Sequence, residues 1–294
     1  MDGAIADYDR AIELDPKDAT AYNNRGAAKK AKGDPTGAIA DYNRAIELDP
    51  KDGTAYYNRG IVKKAQGDSD GAIADYDRTI ELDPRDAAAY RNRGNAKRVK
   101  SDLTGAIADY NRAIELNPKN AAAHDSRGIA KKAIGDLEGA INDYNRAIEL
   151  DPEDGTAYYN RGIAKKAQGD VDGAIADYDH AIELDPKDAQ AYDNRGTAKK
   201  AKGDVNGAIS DYDRAIELDP KNAKAYDNRG IAKNDKDDLK GAVADYDRAI
   251  ELNPKNATAY ENRGAAKRAQ GDLDGATADY KRASELNPKL APAP

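Results

Sequence analysis

Residues 19–52 read ATAYNNRGAAKKAKGDPTGAIADYNRAIELDPKD. In the first half, Tyr22, Arg25, Gly26 and Lys29 fall at i, i+3, i+4 and i+7, the spacing that puts side chains on one helical face. Ala38, Tyr42 and Ala45 form a similar stripe in the second half. Between them, Gly33 supplies the left-handed position that ends a helix, and Asp34 the acceptor that caps the next one. The residue before a proline is pushed out of the helical region, so Asp49-Pro50 stops the second helix, and Asp52 caps whatever follows. The stretch is predicted to be a helix–turn–helix with helices of about 14 residues.

The same unit recurs along the chain. Proline stands at Pro16, Pro50, Pro84, Pro118, Pro152, Pro186, Pro220, Pro254 and Pro288, always 34 residues apart. A fixed period of this length is what stacked helical hairpins require, because each must present the same face to the next at the same rise. Eight complete units follow: 19–52, 53–86, 87–120, 121–154, 155–188, 189–222, 223–256 and 257–290. Residues 1–18 are the second half of a further unit, and 291–294 form a short tail. The expected architecture is one elongated all-α domain, a solenoid of antiparallel helix pairs.

Tyr22, Gly26, Ala38, Tyr42, Ala45 and Pro50 carry a resemblance to the tetratricopeptide repeat family, whose motif asks for aromatic, small, alanine, aromatic, alanine and proline residues at these places. The resemblance covers essentially the whole chain and repeats eight times. It implies a right-handed superhelix whose first helices line a concave groove that receives extended peptides or partner helices. Two positions depart from the motif: Arg25 stands where leucine is usual, and Lys29 where tyrosine is usual. Every complete unit repeats both departures. Asp41 recurs with them on the inward side of the second helix, so an Arg25–Asp41 ion pair within each unit would satisfy two charges that are costly to bury alone.

Composition taken without the repeat would mislead. Leucine, isoleucine and valine are scarce and phenylalanine, tryptophan and cysteine absent, a profile that suggests disorder. The period overrides it, because small alanines allow close helix approach and each hairpin buries its face on its neighbours. A formal net charge of -7 argues against a nucleic-acid partner. No run of 18 apolar residues and no apolar leader is visible, so neither membrane association nor secretion is expected and a cytoplasmic location is the default. The lack of cysteine excludes disulfides and thiolate metal sites.

Catalysis has little material. His124 and His180 stand in columns otherwise held by tyrosine and arginine, which reads as tolerated substitution. Asp68-Ser69-Asp70-Gly71 and Asp170-Val171-Asp172-Gly173 have a calcium-loop flavour but lack the later acidic ligands, and helix capping explains them better. The chain is read as a non-enzyme with no cofactor and no metal.

Function is therefore sought on the face of each first helix opposite the motif, in the first unit Thr20, Asn23, Asn24, Ala27, Lys30 and Ala31. One column is asparagine: Asn24, Asn58, Asn92, Asn160, Asn194, Asn228 and Asn262, broken by Ser126. Carboxamides bond both N–H and C=O of an extended peptide whatever its side chains, although they serve equally to bond neighbouring helices. A second column is basic: Lys30, Lys64, Arg98, Lys132, Lys166, Lys200 and Arg268, with Asn234 the exception, a floor suited to an acidic ligand or simply a solvated face. The third column varies: Asn23, Tyr57, Arg91, Asp125, Tyr159, Asp193, Asp227 and Glu261. With Ile61 and Ile163 beside the two tyrosines, this column is the expected seat of specificity, aromatic or mixed at first and acidic from Asp193 onward.

The reading that results is a protein–protein interaction scaffold that holds an extended peptide or partner segment in its groove. Two alternatives stay open: a self-assembling scaffold joined through its repeat ends, and an amplified, consensus-like array with no dedicated ligand. The ends differ. The isoleucine columns of the second helices become Thr277 and Ser284 in the last unit, and Leu290 replaces a capping residue, as expected of a true C-terminal end. In residues 1–18, Ala4, Tyr8 and Ala11 lack the first helix they should pack on and Asp7 lacks its arginine, so weak self-association or fraying is expected there.

Overall fold

The computed structural model describes residues 2–288. It is all-α. After α1 (Asp2–Leu14), first helices α2 (Ala19–Lys32), α4 (Gly53–Ala65), α6 (Ala87–Val99), α8 (Ala121–Ala133), α10 (Gly155–Gln168), α12 (Ala189–Ala201), α14 (Ala223–Asp235) and α16 (Ala257–Ala269) alternate with second helices. The second helices are α3 (Pro35–Leu48), α5 (Ser69–Leu82), α7 (Leu103–Leu116), α9 (Leu137–Leu150), α11 (Val171–Leu184), α13 (Val205–Leu218), α15 (Leu239–Leu252) and α17 (Leu273–Leu286). Packing divides the chain into two compact units, Met1–Asp151 and Pro152–Pro294. Each is a solenoid of stacked antiparallel hairpins.

The punctuation of the sequence accounts for the helix ends. Asp18 accepts from the Ala21 N–H at 3.0 Å and Asp34 from the Gly37 N–H at 2.8 Å, each closing an orphan donor of a first turn. Gly33 sits at φ 85° and returns its N–H to the last turn of α2. Asp68 and Asp170 likewise cap α5 and α11 by accepting from the Gly71 and Gly173 N–H groups. At the far end Asp49 accepts from the Lys51 N–H at 2.9 Å, so the Asp-Pro pair both stops the helix and forms the turn. In two turns no glycine is present, and Ser101 and Asp237 hold the left-handed position at φ 64°.

Within each unit a second helix packs on its own first helix and on the first helix that follows, and consecutive first helices also touch. Ala38, Tyr42 and Ala45 are fully buried, and Ala38 and Tyr42 meet Val62 of the next repeat with Ile39 alongside. Gly26 makes this possible: a Cβ there would lie 2.8 Å from Tyr42 Cε1, so the tyrosine ring occupies the place of the missing side chain. The first-helix face differs from the expected stripe. Its most buried residues are Gly26 with Ala21 in the first repeat and Gly60 with Ala55 and Val62 in the second, while Tyr22, Arg25 and Lys29 are only half-buried. Long amphipathic side chains cover the seam with their stems and keep their charges at its edge.

α1 buries none of its residues. Ala4 and Asp7 are exposed as expected, but Tyr8 and Ala11 are half-buried rather than open to water. α1 is held to α2 by ion pairs from Asp9 to Arg25 and from Asp2 to Lys32, both 2.7 Å. In α17, Thr277 and Ser284 turn their hydroxyls back onto the carbonyls of Leu273 and Tyr280. Leu290 lies outside the described residues.

Candidate functional site

The repeated charges assemble first. Arg25 Nε and Nη2 donate to the two carboxylate oxygens of Asp41 at 2.9 and 2.6 Å, a paired, planar contact. Lys29 Nζ joins the same carboxylate at 2.7 Å, which gives the second departure from the family motif its reason. Arg25 Nη1 then reaches back to Asp9 of the preceding second helix at 2.7 Å. Arg93 repeats the arrangement with Asp109, Lys97 and Asp77, and Arg195 with Asp211, Lys199 and Asp179. The pair within a repeat was legible from its 16-residue spacing, and the bridge to the previous repeat obeys the same spacing in reverse. Desolvation alone would raise the Asp279 carboxyl, yet Arg263 and Lys267 hold it below the ordinary value. These groups are a structural ladder.

The asparagine column turns inward to the variable column. Asn58 Nδ2 donates to Asn23 Oδ1 at 3.1 Å, and Asn92 Nδ2 to the Tyr57 hydroxyl at 2.8 Å. In the second unit Asn194 donates to the Tyr159 hydroxyl and Asn228 to Asp193 Oδ1, both at 2.8 Å, and Asn262 to Asp227 Oδ1 at 3.3 Å. Asn160 is buried and has a partner, whereas Asn24 makes no hydrogen bond of this kind among the described residues. Asn58, Asn92, Asn194, Asn228 and Asn262 thus each fix the residue 35 positions earlier, on the neighbouring first helix. The Oδ1 atoms of Asn92, Asn194 and Asn228 carry no protein hydrogen bond among the described residues. Half of each carboxamide is spent on the fold.

The basic column is not uniform. Lys30 and Arg268 are exposed, and Lys200 pairs with Asp235 at 2.9 Å. Lys64, Arg98, Lys132 and Lys166 are half-buried. Burial lowers Lys132, opposed by Asp125, and lowers Lys166 together with Lys224, opposed by Asp193.

In the variable column the two tyrosines each stand beside a cleft. Tyr57 leans on Tyr76 with ring centres 6.0 Å apart, and Tyr159 on Tyr178 at the same distance. A cleft of about 390 Å³ beside Tyr57 is lined by Ile61, Lys64, Ala65, Tyr76, Arg91 and Asn92. Another, of about 220 Å³, runs from Tyr159 past Gln190, Asp193 and Asn194 to Asn222 and Lys224. Ile163 packs at the edge of the Tyr178 cluster. Asp193 is buried, with Lys224 Nζ at 2.7 Å, and Asn23 is buried as well, so neither is free to meet a ligand as expected. Asp125, Asp227 and Glu261 are half-buried. Burial raises the Asp227 carboxyl, with only the Asn262 bond acting against it.

Sequence profiles described as TPR repeat match residues 1–33, 28–67, 130–169, 196–234 and 232–267. Profiles described as tetratricopeptide repeat match 57–121, 155–188 and 257–290. The chain belongs to the tetratricopeptide repeat family. A search of curated proteins finds no match. Among solved structures it is similar to YrrB, described as a TPR protein with an unusual peptide-binding site, at 27% identity over 63% of this chain and 95% of that one, TM-score 0.53. MamA is 30% identical over 56% of this chain and 96% of its own, TM-score 0.52. A tetratricopeptide repeat protein from Parabacteroides merdae, at 22% identity, covers 81% of this chain and 97% of its own with TM-score 0.64 and speaks to fold alone.

His124 is buried against the Pro118 carbonyl at 3.3 Å, and His180 is exposed beside Glu183 at 3.2 Å. Among the described residues no group of three or more His, Cys, Asp or Glu is placed to hold a metal ion, and no helix is long and apolar enough to cross a membrane.

Proposed function

We propose that this protein is a non-enzymatic interaction scaffold that receives an extended peptide, or an extended segment of a partner, on the face shared by its first helices. The observation that carries the proposal is the asparagine-to-tyrosine bond, 2.8 Å for both Asn92–Tyr57 and Asn194–Tyr159. It holds an aromatic ring rigidly beside a cleft, and a rigid aromatic anchor binds at low entropic cost. The unused Oδ1 atoms of Asn92 and Asn194 are acceptors for peptide N–H groups, and the likeness to YrrB, a TPR protein with a peptide-binding site, supports the same reading. The half-buried Lys64 and Arg98 favour an acidic ligand in the first unit. A cytoplasmic setting belongs to the same proposal.

Degenerate peptide mixtures immobilised as an array provide the test. Retention of extended peptides that drops several-fold in Tyr57→Ala, with the melting temperature unchanged, is the expected result, and a folded chain that retains none defeats the reading. A weaker self-association through residues 1–18 remains a second proposal, because α1 buries none of its residues. Sedimentation at rising concentration decides it, and a strict monomer removes it.

A further inference from the structure

The two tyrosine clefts share a frame but not a charge. One repeat after Tyr159 stands Asp193, buried and matched by Lys224 Nζ at 2.7 Å and Asn228 Nδ2 at 2.8 Å. One repeat after Tyr57 stands Arg91, and Arg98 follows two turns along the same face of α6. Lys64 lines the cleft from α4. Among the described residues no carboxylate pairs with Lys64, Arg91 or Arg98, and the Nε atoms of both arginines are buried without an acceptor. Burial lowers the Lys64 ammonium, and the charges of Arg98 and Arg91 lower it further. Asp86, whose charge reaches Tyr57, is engaged in capping α6 through the Ala88 and Ala89 N–H groups.

An unmatched cluster is not the habit of this chain. The half-buried cations of the ladder, Arg25 and Lys29 or Arg93 and Lys97, all meet a carboxylate. Three like charges, Lys64 and Arg91 in the cleft and Arg98 close enough to act on Lys64, oppose folding without a carboxylate among them, so they suit a ligand that supplies the missing charge. A single carboxylate answers one of the three. A phosphorylated hydroxyl carries a charge of about -1.5 to -2 with three acceptor oxygens, which guanidinium groups bind through paired N–H donors. The overall charge of -7 repels a polyanion, whereas one phosphorylated side chain needs only the local field.

We infer that the cleft lined by Tyr57, Lys64 and Arg91, with Arg98 near enough for its charge to act on Lys64, is a subsite for the phosphoryl group of a phosphoserine or phosphothreonine in an extended peptide, whose neighbouring residues lie against Tyr57 and Ile61. The inference rests on the peptide-binding reading and names the ligand chemistry of one of its clefts.

The test uses the full chain and short degenerate peptide mixtures that differ only in a central phosphoserine, serine or glutamate, read by fluorescence anisotropy, with inorganic phosphate as a fourth probe. The phosphoserine mixture is expected to bind at least about tenfold more tightly than the other two. That preference should fall to about twofold or less in Arg91→Asp, which installs the charge found at Asp193, and in Arg98→Gln. Lys64→Gln replaces either variant if its thermal melt shifts. Equal binding of the phosphoserine and serine mixtures sinks the subsite and leaves the peptide-binding reading standing. Inorganic phosphate bound as tightly as the phosphopeptides rules out a peptide carrier, and a preference kept in all folded variants rules out this location. Silence of every mixture removes the inference together with the reading beneath it.

Discussion

Tyr110 and Tyr178 occupy the same column, yet only one has a use for its hydroxyl. Tyr110 Oη donates to Asn95 Oδ1 at 2.8 Å, while Tyr178 Oη is buried with no acceptor. Tyr110→Phe should therefore cost about 1 kcal/mol, and Tyr178→Phe should be neutral or stabilising by up to about 1 kcal/mol, a difference of sign that denaturant melts resolve. The ladder gives a second contrast. Asp211 is shared by Arg195 and Lys199, so Asp211→Ala should cost about 3–5 kcal/mol, whereas Arg195→Met leaves Lys199 on the carboxylate and should cost about 1–3 kcal/mol. The double change should fall short of the sum, and simple additivity would reject the pairing. Burial, with Arg127, pushes His124 below its ordinary 6.5, against the Pro118 carbonyl and Asp143. The unfolded chain then binds the proton more readily, so stability rises as pH climbs from the depressed folded value to 6.5 and is lost as pH falls through that window. His124→Tyr, the residue of the sister repeats, should flatten this dependence in melts compared on either side of the window.

At the scale of the element, the turn between the two helices of a repeat is not equally costly in every repeat. Gly33, Gly67, Gly135, Gly169, Gly203 and Gly271 take the left-handed position without penalty, and Ser101 and Asp237 take it with a side chain, each at φ 64°. An L-residue there is strained by about 1–2 kcal/mol, so Ser101→Gly should stabilise by about 1 kcal/mol. Gly33→Ser should do the reverse. Equal midpoints for wild type and Ser101→Gly in urea would show that this turn relaxes elsewhere.

At the scale of the whole molecule, hairpins within each compact unit are supported by their neighbours. Arg195 joins Asp211 of its own repeat to Asp179 of the preceding one, and the tyrosine of one repeat packs on the following first helix, as Tyr42 does on Val62. In such arrays stability is a sum of unit and neighbour terms, and elements with fewer buried contacts open first. α1 has none of its residues buried. Amide exchange in residues 2–14 should thus be faster than in α3 or α5, where an alanine–tyrosine pair is wholly buried, and equal protection would contradict it.

The period, the caps and the Asp-Pro or Asn-Pro stops were legible because they act within a few residues, and repetition displayed them again in every repeat. The Arg–Asp pair was legible for a related reason: two charges that recur together on facing helices must meet or be paid for in desolvation. The use of the asparagines was not legible. A carboxamide on a helix face bonds equally well to a peptide or to the neighbouring helix, and only the approach of consecutive first helices set Asn92 against Tyr57 and Asn228 against Asp193. Nor did Asp193 and Arg91, two members of one variable column, announce their different fates. Local sequence determined which elements form and where they end, because hydrogen bonds and backbone sterics are short-ranged. Which charges find partners, as Asp193 does in Lys224 and as Arg91 does not, was decided by side chains meeting across a helix–helix seam, a matter of tertiary distance alone.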